Sequence, residues 1–161
     1  MSDFDTTTKI LADITGPSSE IIKIQPGQYF HGLLIHSILG EGAMGAAYLA
    51  SHPILKIPLV IKTFKNSTEV NLFKEAHLAA RVTSQHVVGV LDAGSEMGIP
   101  YVIQHYVDGI DLGELLSYAH ATSGGLPVSQ VCRIIIDVAI GLHAIHQAGV
   151  IHRDVKPANL F

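Results

Sequence analysis

The chain has 161 residues and a net charge of −4 with histidine neutral, so it is of single-domain size, can bury a sizeable core and carries no basic footprint for nucleic acid. Hydrophobic residues make up 48% and charged residues 15%, with a mean hydropathy of +0.36, a balance that implies surface meant to be covered. The single cysteine, Cys132, fits a reducing compartment, the N-terminus lacks the basic patch and apolar block of a secretory signal, and the longest apolar stretch, 128–151, contains Arg133, Asp137 and two histidines. These features predict a cytoplasmic chain with no membrane segment.

Residues 1–28 are polar, with Thr6-Thr7-Thr8, Gly16-Pro17-Ser18-Ser19 and Pro26-Gly27 around a short apolar patch at Ile21-Ile22. They read as a loosely ordered leader, with a docking strand over 21–24 as the alternative. Two strand-like runs, 33–39 and 46–50, then flank Gly40-Glu41-Gly42-Ala43-Met44-Gly45. Glycines spaced G-x-G-x-x-G let a backbone turn sharply and bring its N–H groups close to phosphate oxygens. A dinucleotide-binding fold would follow the third glycine with a helix, whereas Ala46-Ala47-Tyr48-Leu49-Ala50 leads through Ser51-His52-Pro53 into another apolar run. The context is strand, loop, strand.

The run 58–64 is a short apolar strand with Lys62 in its middle, and a charge there needs a partner. The helix that follows, with a plausible capping box at 66–69, presents Glu75 among Leu72, Phe73, Ala76 and Ala79 as that partner. Strands at 87–91 and 100–105, joined by a turn over 92–98, make five strands and one helix. The longest helix has Pro127 near its start and Gly149 past its end. Val131, Ile134, Ile135, Val138, Leu142 and Ile145 form one apolar face, but Ile136 and Ile140 lie opposite, and Cys132 reads as a buried small hydrophobe. A helix so apolar belongs inside a larger domain. His143, His146 and His152 invite a metal reading that no cysteine or carboxylate completes.

The chain closes on His152-Arg153-Asp154-Val155-Lys156-Pro157-Ala158-Asn159-Leu160-Phe161. A carboxylate followed two residues later by a lysine and five later by an amide is a compact kit for moving a phosphoryl group: Asp154 accepts the proton of an attacking hydroxyl, Lys156 sets a charge on the transferring phosphate, and Asn159 offers an amide oxygen to magnesium.

This ending resembles the HRDxKPxN loop of the eukaryotic-like protein kinases, and Gly-Glu-Gly-Ala-Met-Gly followed by Tyr-Leu-Ala is similar to bacterial Ser/Thr kinases in particular. The resemblance covers about 33–161. It implies an α+β kinase-like fold in which a five-stranded antiparallel N-lobe with one helix spans 29–105 and hinge plus partial helical C-lobe span 106–161. It implies ATP and Mg2+ as cofactors and a protein substrate phosphorylated on Ser or Thr, since tyrosine kinases usually lack the lysine at 156. By position, Gly40, Gly42 and Gly45 would cover the phosphates, Ala47 and Val60 the adenine face, and Lys62, held by Glu75, the α- and β-phosphates. The carbonyl of His105 and the N–H and carbonyl of Val107 would meet the adenine edge, and Asp111 either the ribose or the N-terminus of the next helix. The catalytic set would be Asp154, Lys156, Lys62 and Glu75, with Asn159 on the metal and Arg153 facing a phosphorylated activation loop.

Two departures stand out. The small and large residues usual at the adenine face are exchanged, as Ala47 and Val60, a swap that conserves volume. No Asp-Phe-Gly or Ala-Pro-Glu follows, so these 161 residues are expected to be inactive in transfer. The other expectation is a truncated or pseudokinase module that binds without catalysing.

Overall fold

The computed structural model describes residues 24–43, 45–65 and 69–161. The leader through residue 23, most of the 21–24 docking strand and positions 66–68 of the capping box lie outside the described residues.

Six strands form one antiparallel sheet: β1 Tyr29–Phe30, β2 Leu33–Gly42, β3 Gly45–Ser51, β4 Pro58–Phe64, β5 Val90–Glu96 and β6 Ile99–His105, in the order β1-β2-β3-β4-β6-β5. The sequence reading gave five. The sixth, β1, is two residues long, too short for alternation to register, and it pairs with β2 through His31 and Gly32, both at positive φ (49° and 72°) as a two-residue hairpin turn requires. The 92–98 turn is also corrected: pairing runs to Glu96↔Ile99, and only Met97 and Gly98, at φ 53° and 74°, form the turn. Polar Asp92 and Ser95 masked a strand that pairs with β6 from Asp92 through Glu96, with one bulge at Leu91.

The core lies on one face of the sheet, where Ile35, Ala50 and Ile61 are closed to solvent and Phe30 meets Tyr101 edge-on at 5.5 Å. Ile24 is buried with them, so at least the end of the leader is part of the packed domain. The sheet curls until its two edges meet. There His31 reaches from the β1–β2 turn to Asp92 and Glu96 on β5, with its two ring nitrogens each 3.1 Å from a carboxylate oxygen.

Helix α1, Glu69–Ala79, packs on β5 and β6. Helix α2, Leu112–Ser123, starts at Asp111, whose carboxylate accepts the Glu114 N–H at 3.0 Å, and ends at Gly124 in the left-handed conformation. Helix α3, Val128–Gln147, starts after Pro127 and is closed by Gly149 at φ 79°, whose N–H donates to the His146 carbonyl at 2.9 Å. It leans on the segment after α1, because Gly141 sits where a side chain would strike the His86 carbonyl at 2.7 Å, and Asp137 stands 3.7 Å from His86. Elsewhere α3 is open: Ile135 and Ile136 are 60% and 58% exposed, and Cys132 is exposed where burial was expected. Although Arg133 and Asp137 interrupt it, α3 is long and apolar enough to cross a membrane by length and composition.

Candidate active site

Strand register builds the site's roof. Ala47 pairs with Lys62 and Leu49 with Val60, while Lys62 pairs with Val102 and Val60 with Gln104. Because side chains alternate, Ala47, Val60 and Lys62 share one face, and Tyr48, Ile61 and Ile103 turn to the core on the other. The exchanged pair Ala47 and Val60 are thus diagonal neighbours on the surface that carries Lys62.

Pairing continues through the glycines to Gly42↔Gly45. They are not equivalent. Gly45 has φ 153°, and a Cβ there would overlap the Thr63 carbonyl oxygen and come within 2.8 Å of its carbon. Gly40 and Gly42 have ordinary backbone angles and open space where a Cβ would stand, room that a phosphate-binding loop needs. Lys65, which the sequence reading passed over, donates to the Gly42 carbonyl at 3.0 Å and stands 3.7 Å from the Glu41 carboxylate. A second lysine just past the strand that ends at Phe64 was its only sequence signal.

Lys62 is open to solvent along part of its length, yet surrounding protein desolvates its ammonium and holds it below the usual lysine range. The expected partner is elsewhere. Glu75 is exposed on α1 and its carboxylate lies 3.7 Å from the Arg153 guanidinium; among the described residues no ion pair joins it to Lys62. Both Glu75 and Arg153 are mostly solvated, so their pairing is weak and the carboxylate is free to exchange cations.

Where β6 ends, the His105 N–H donates to the Gly89 carbonyl at 3.2 Å. The N–H and carbonyl of Val107 take no partner among the described residues, leaving a donor and an acceptor side by side. Asp111 caps α2, the helix reading of that residue. The cap also fixes the loop below, since the Leu112 N–H donates to the Leu160 carbonyl at 2.7 Å.

Asp154, Lys156 and Asn159 converge. Lys156 Nζ is 2.8 Å from Asp154 Oδ2, and the Asn159 amide nitrogen donates to the Asp154 backbone carbonyl at 2.8 Å and to Oδ2 at 3.0 Å. A 3-10 turn, Pro157–Asn159, folds the asparagine back. Hydrogen bonds from Lys156 and then Asn159 hold the Asp154 carboxyl below its ordinary value, so it is ionised at neutral pH. Arg153 holds φ 62°, a left-handed conformation that points strain at the loop's entry.

A family profile described as protein kinase domain matches residues 33–161. The serine/threonine-protein kinase PksC of Streptomyces coelicolor is 31% identical over 136 residues, 78% of this chain and 24% of that protein. PknF of Mycobacterium tuberculosis is 35% identical over 140 residues, 83% of this chain and 29% of that protein. The crystal structure of the PknI kinase domain of M. tuberculosis superposes with a TM-score of 0.74 at 33% identity, covering 85% of this chain and 57% of that one. The chain thus spans about a quarter of the length of these curated relatives.

Proposed function

The chain belongs to the protein kinase domain family, and from that premise we propose that the protein carrying it transfers the γ-phosphoryl group of ATP to a Ser or Thr hydroxyl of a protein substrate. The observation that carries the reading is the Asp154, Lys156 and Asn159 cluster, in which an ammonium and an amide nitrogen each lie within 3.0 Å of the Asp154 carboxylate. Asp154, ionised, accepts a hydrogen bond from the attacking hydroxyl and takes its proton as the bond to phosphorus forms. Lys156 offsets charge on the transferring group. Lys62 holds the other phosphates, and its desolvated ammonium gains the counter-charge it lacks here.

The residues fit a magnesium nucleotide. With its nitrogen committed to Asp154, Asn159 presents its amide oxygen, the donor a hard cation takes. Magnesium, when bound, neutralises charge on the phosphates. The unpartnered N–H and carbonyl of Val107 suit an adenine edge, with the His105 carbonyl beside them and Ala47 and Val60 above. Asp111 serves α2 and can still reach a ribose hydroxyl with its second oxygen.

Because α3 falls within the matched kinase region, its apolar surface reads as the inside of a helical lobe, not a membrane span, and the lone thiol supports a cytoplasmic domain. The transfer activity is proposed for the whole protein, and residues 1–161 alone are proposed to bind nucleotide without turnover. A binding module without catalysis is the second reading, favoured by one observation, the engagement of Glu75 by Arg153 instead of Lys62. Reading the coding DNA past codon 161 separates them: an in-frame Asp-Phe-Gly supports the enzyme. The decisive assay is radiolabelled transfer from ATP to a Ser/Thr protein substrate by the whole protein. Turnover abolished by Asp154→Asn is expected, and equal turnover by that variant refutes the assignment.

A further inference from the structure

We propose that Lys65 is a positioning residue that straps the glycine-rich loop to the end of β4 and thereby slows nucleotide release. The inference rests on the reading of the glycine segment as a nucleotide lid.

The ladder explains why the contact is informative. Gly42 pairs with Gly45 and Gly45 with Phe64, so β3 lies between the strand that ends the loop and the strand that precedes Lys65. Lys65 follows Phe64, the last β4 residue paired with β3, so its side chain reaches past the start of β3 at Gly45 to the Gly42 carbonyl on the far side. A lysine chain laid out this far loses rotamer freedom, which an exposed ion pair alone seldom offsets. Here the ammonium holds a backbone carbonyl at 3.0 Å and has the Glu41 carboxylate at 3.7 Å, and its side chain is only 23% exposed. Both anchor points lie in the Gly40-Glu41-Gly42 segment, the part of the lid whose glycines have no Cβ contact within 4 Å to hold them. Gly40 and Gly42 are held by the β2–β3 ladder alone, with no side chain to pack, and the same openness lets phosphate approach. Lys65 supplies the stiffness that side-chain packing cannot.

Lys65 differs in role from Lys62. Lys62 lies within β4 on the roof face and has no anionic partner among the described residues, whereas Lys65 is already occupied by the loop. Losing Lys62 therefore removes a ligand to phosphate, while losing Lys65 loosens the lid above it.

The test compares Lys65→Met and Lys65→Arg with the wild-type chain in two measurements. Hydrogen exchange of the nucleotide-free protein reads the strap alone. Lys65→Met is expected to speed exchange of amides at 40–45 by about 3- to 10-fold, the range of one ordinary net hydrogen bond, with the core strands unchanged and Lys65→Arg largely restoring protection. Stopped-flow release of a fluorescent ATP analogue with magnesium reads the consequence, with dissociation faster by a similar factor and association nearly unchanged. Unaltered exchange in Lys65→Met overturns the strap. Faster exchange with unaltered dissociation overturns its role in nucleotide retention. A wild-type chain that binds no nucleotide sinks the nucleotide-lid reading, and with it the retention role, while the exchange comparison still judges the strap.

Discussion

Replacing each glycine of Gly40, Gly42 and Gly45 by alanine separates two reasons for a glycine to be there. At Gly45 the backbone holds φ 153°, and a Cβ would overlap the Thr63 carbonyl and lie 3.1 Å from the Phe64 Cα, both backbone atoms of a paired strand that cannot step aside without breaking the β3–β4 ladder. A residue forced into such a region costs about 1–3 kcal/mol, and the overlap places Gly45→Ala toward the upper end. That range is about a 5- to 140-fold rise in the unfolding constant, or roughly 2–12 °C in Tm for a domain of this size. Gly40→Ala and Gly42→Ala meet no atom within 4 Å and sit in ordinary strand conformations, so the lost backbone freedom of the unfolded chain leaves stability unchanged or raised by up to about 1 kcal/mol. Their cost should appear only in nucleotide affinity, where the new methyl would occupy space that the proposed nucleotide's phosphate oxygens need. The assays are urea denaturation followed by circular dichroism without ligand, and titration with magnesium ATP. A Gly45→Ala variant as stable as wild type, or a Gly40→Ala variant destabilised by more than about 1 kcal/mol, would refute this division of roles.

Other outcomes follow from the same structure. Lys62→Met should leave the ligand-free Tm unchanged or raise it, because the desolvated ammonium has no partner to lose, yet it should weaken ATP binding at least about 10-fold; a stability loss would reveal an ion pair to Glu75. Tyr101 is buried beside Asp92 and Glu96, and burial first, then those two charges, push its phenol above 10.0. A raised value means stability is intact below pH 10 and declines as pH rises through the folded-state value, so Tyr101→Phe should flatten the alkaline limb of the stability profile; an unchanged limb would show that another group governs it. Gly141→Val would drive a side chain into the His86 carbonyl, and a loss of about 2 kcal/mol or more is expected by denaturation, against near neutrality for Ile140→Val on the exposed side of α3. Ala47→Val combined with Val60→Ala should retain ATP affinity within a few-fold, while either change alone should shift it; a double variant that fails to bind counts against volume exchange on the adenine face.

The sequence by itself marked most of the candidate site. Glycine spacing, a lysine inside an apolar strand and the Asp154, Lys156 and Asn159 offsets are local patterns, since each depends on residues a few positions apart whose geometry a strand, turn or 3-10 turn dictates. The short run 58–64 marked a strand, the resemblance implied its antiparallel sheet, and Asp111 before Leu112 marked a helix start. What only the tertiary structure decided lies in contacts between distant segments. Strand β1 exists because the curl of the sheet gives Phe30 a core to enter, and β5 extends through Asp92 because β6 pairs its backbone whatever its side chains prefer. The partner of Glu75 is the clearest case: the Glu75 carboxylate stands 3.7 Å from the Arg153 guanidinium, and which cation a solvated carboxylate takes depends on how the helix sits over the loop at Arg153, a choice of about a kcal/mol that no spacing rule records. Cys132 and the isoleucines of α3 mark the opposite limit, where helical periodicity is plain but burial belongs to whatever packs against it.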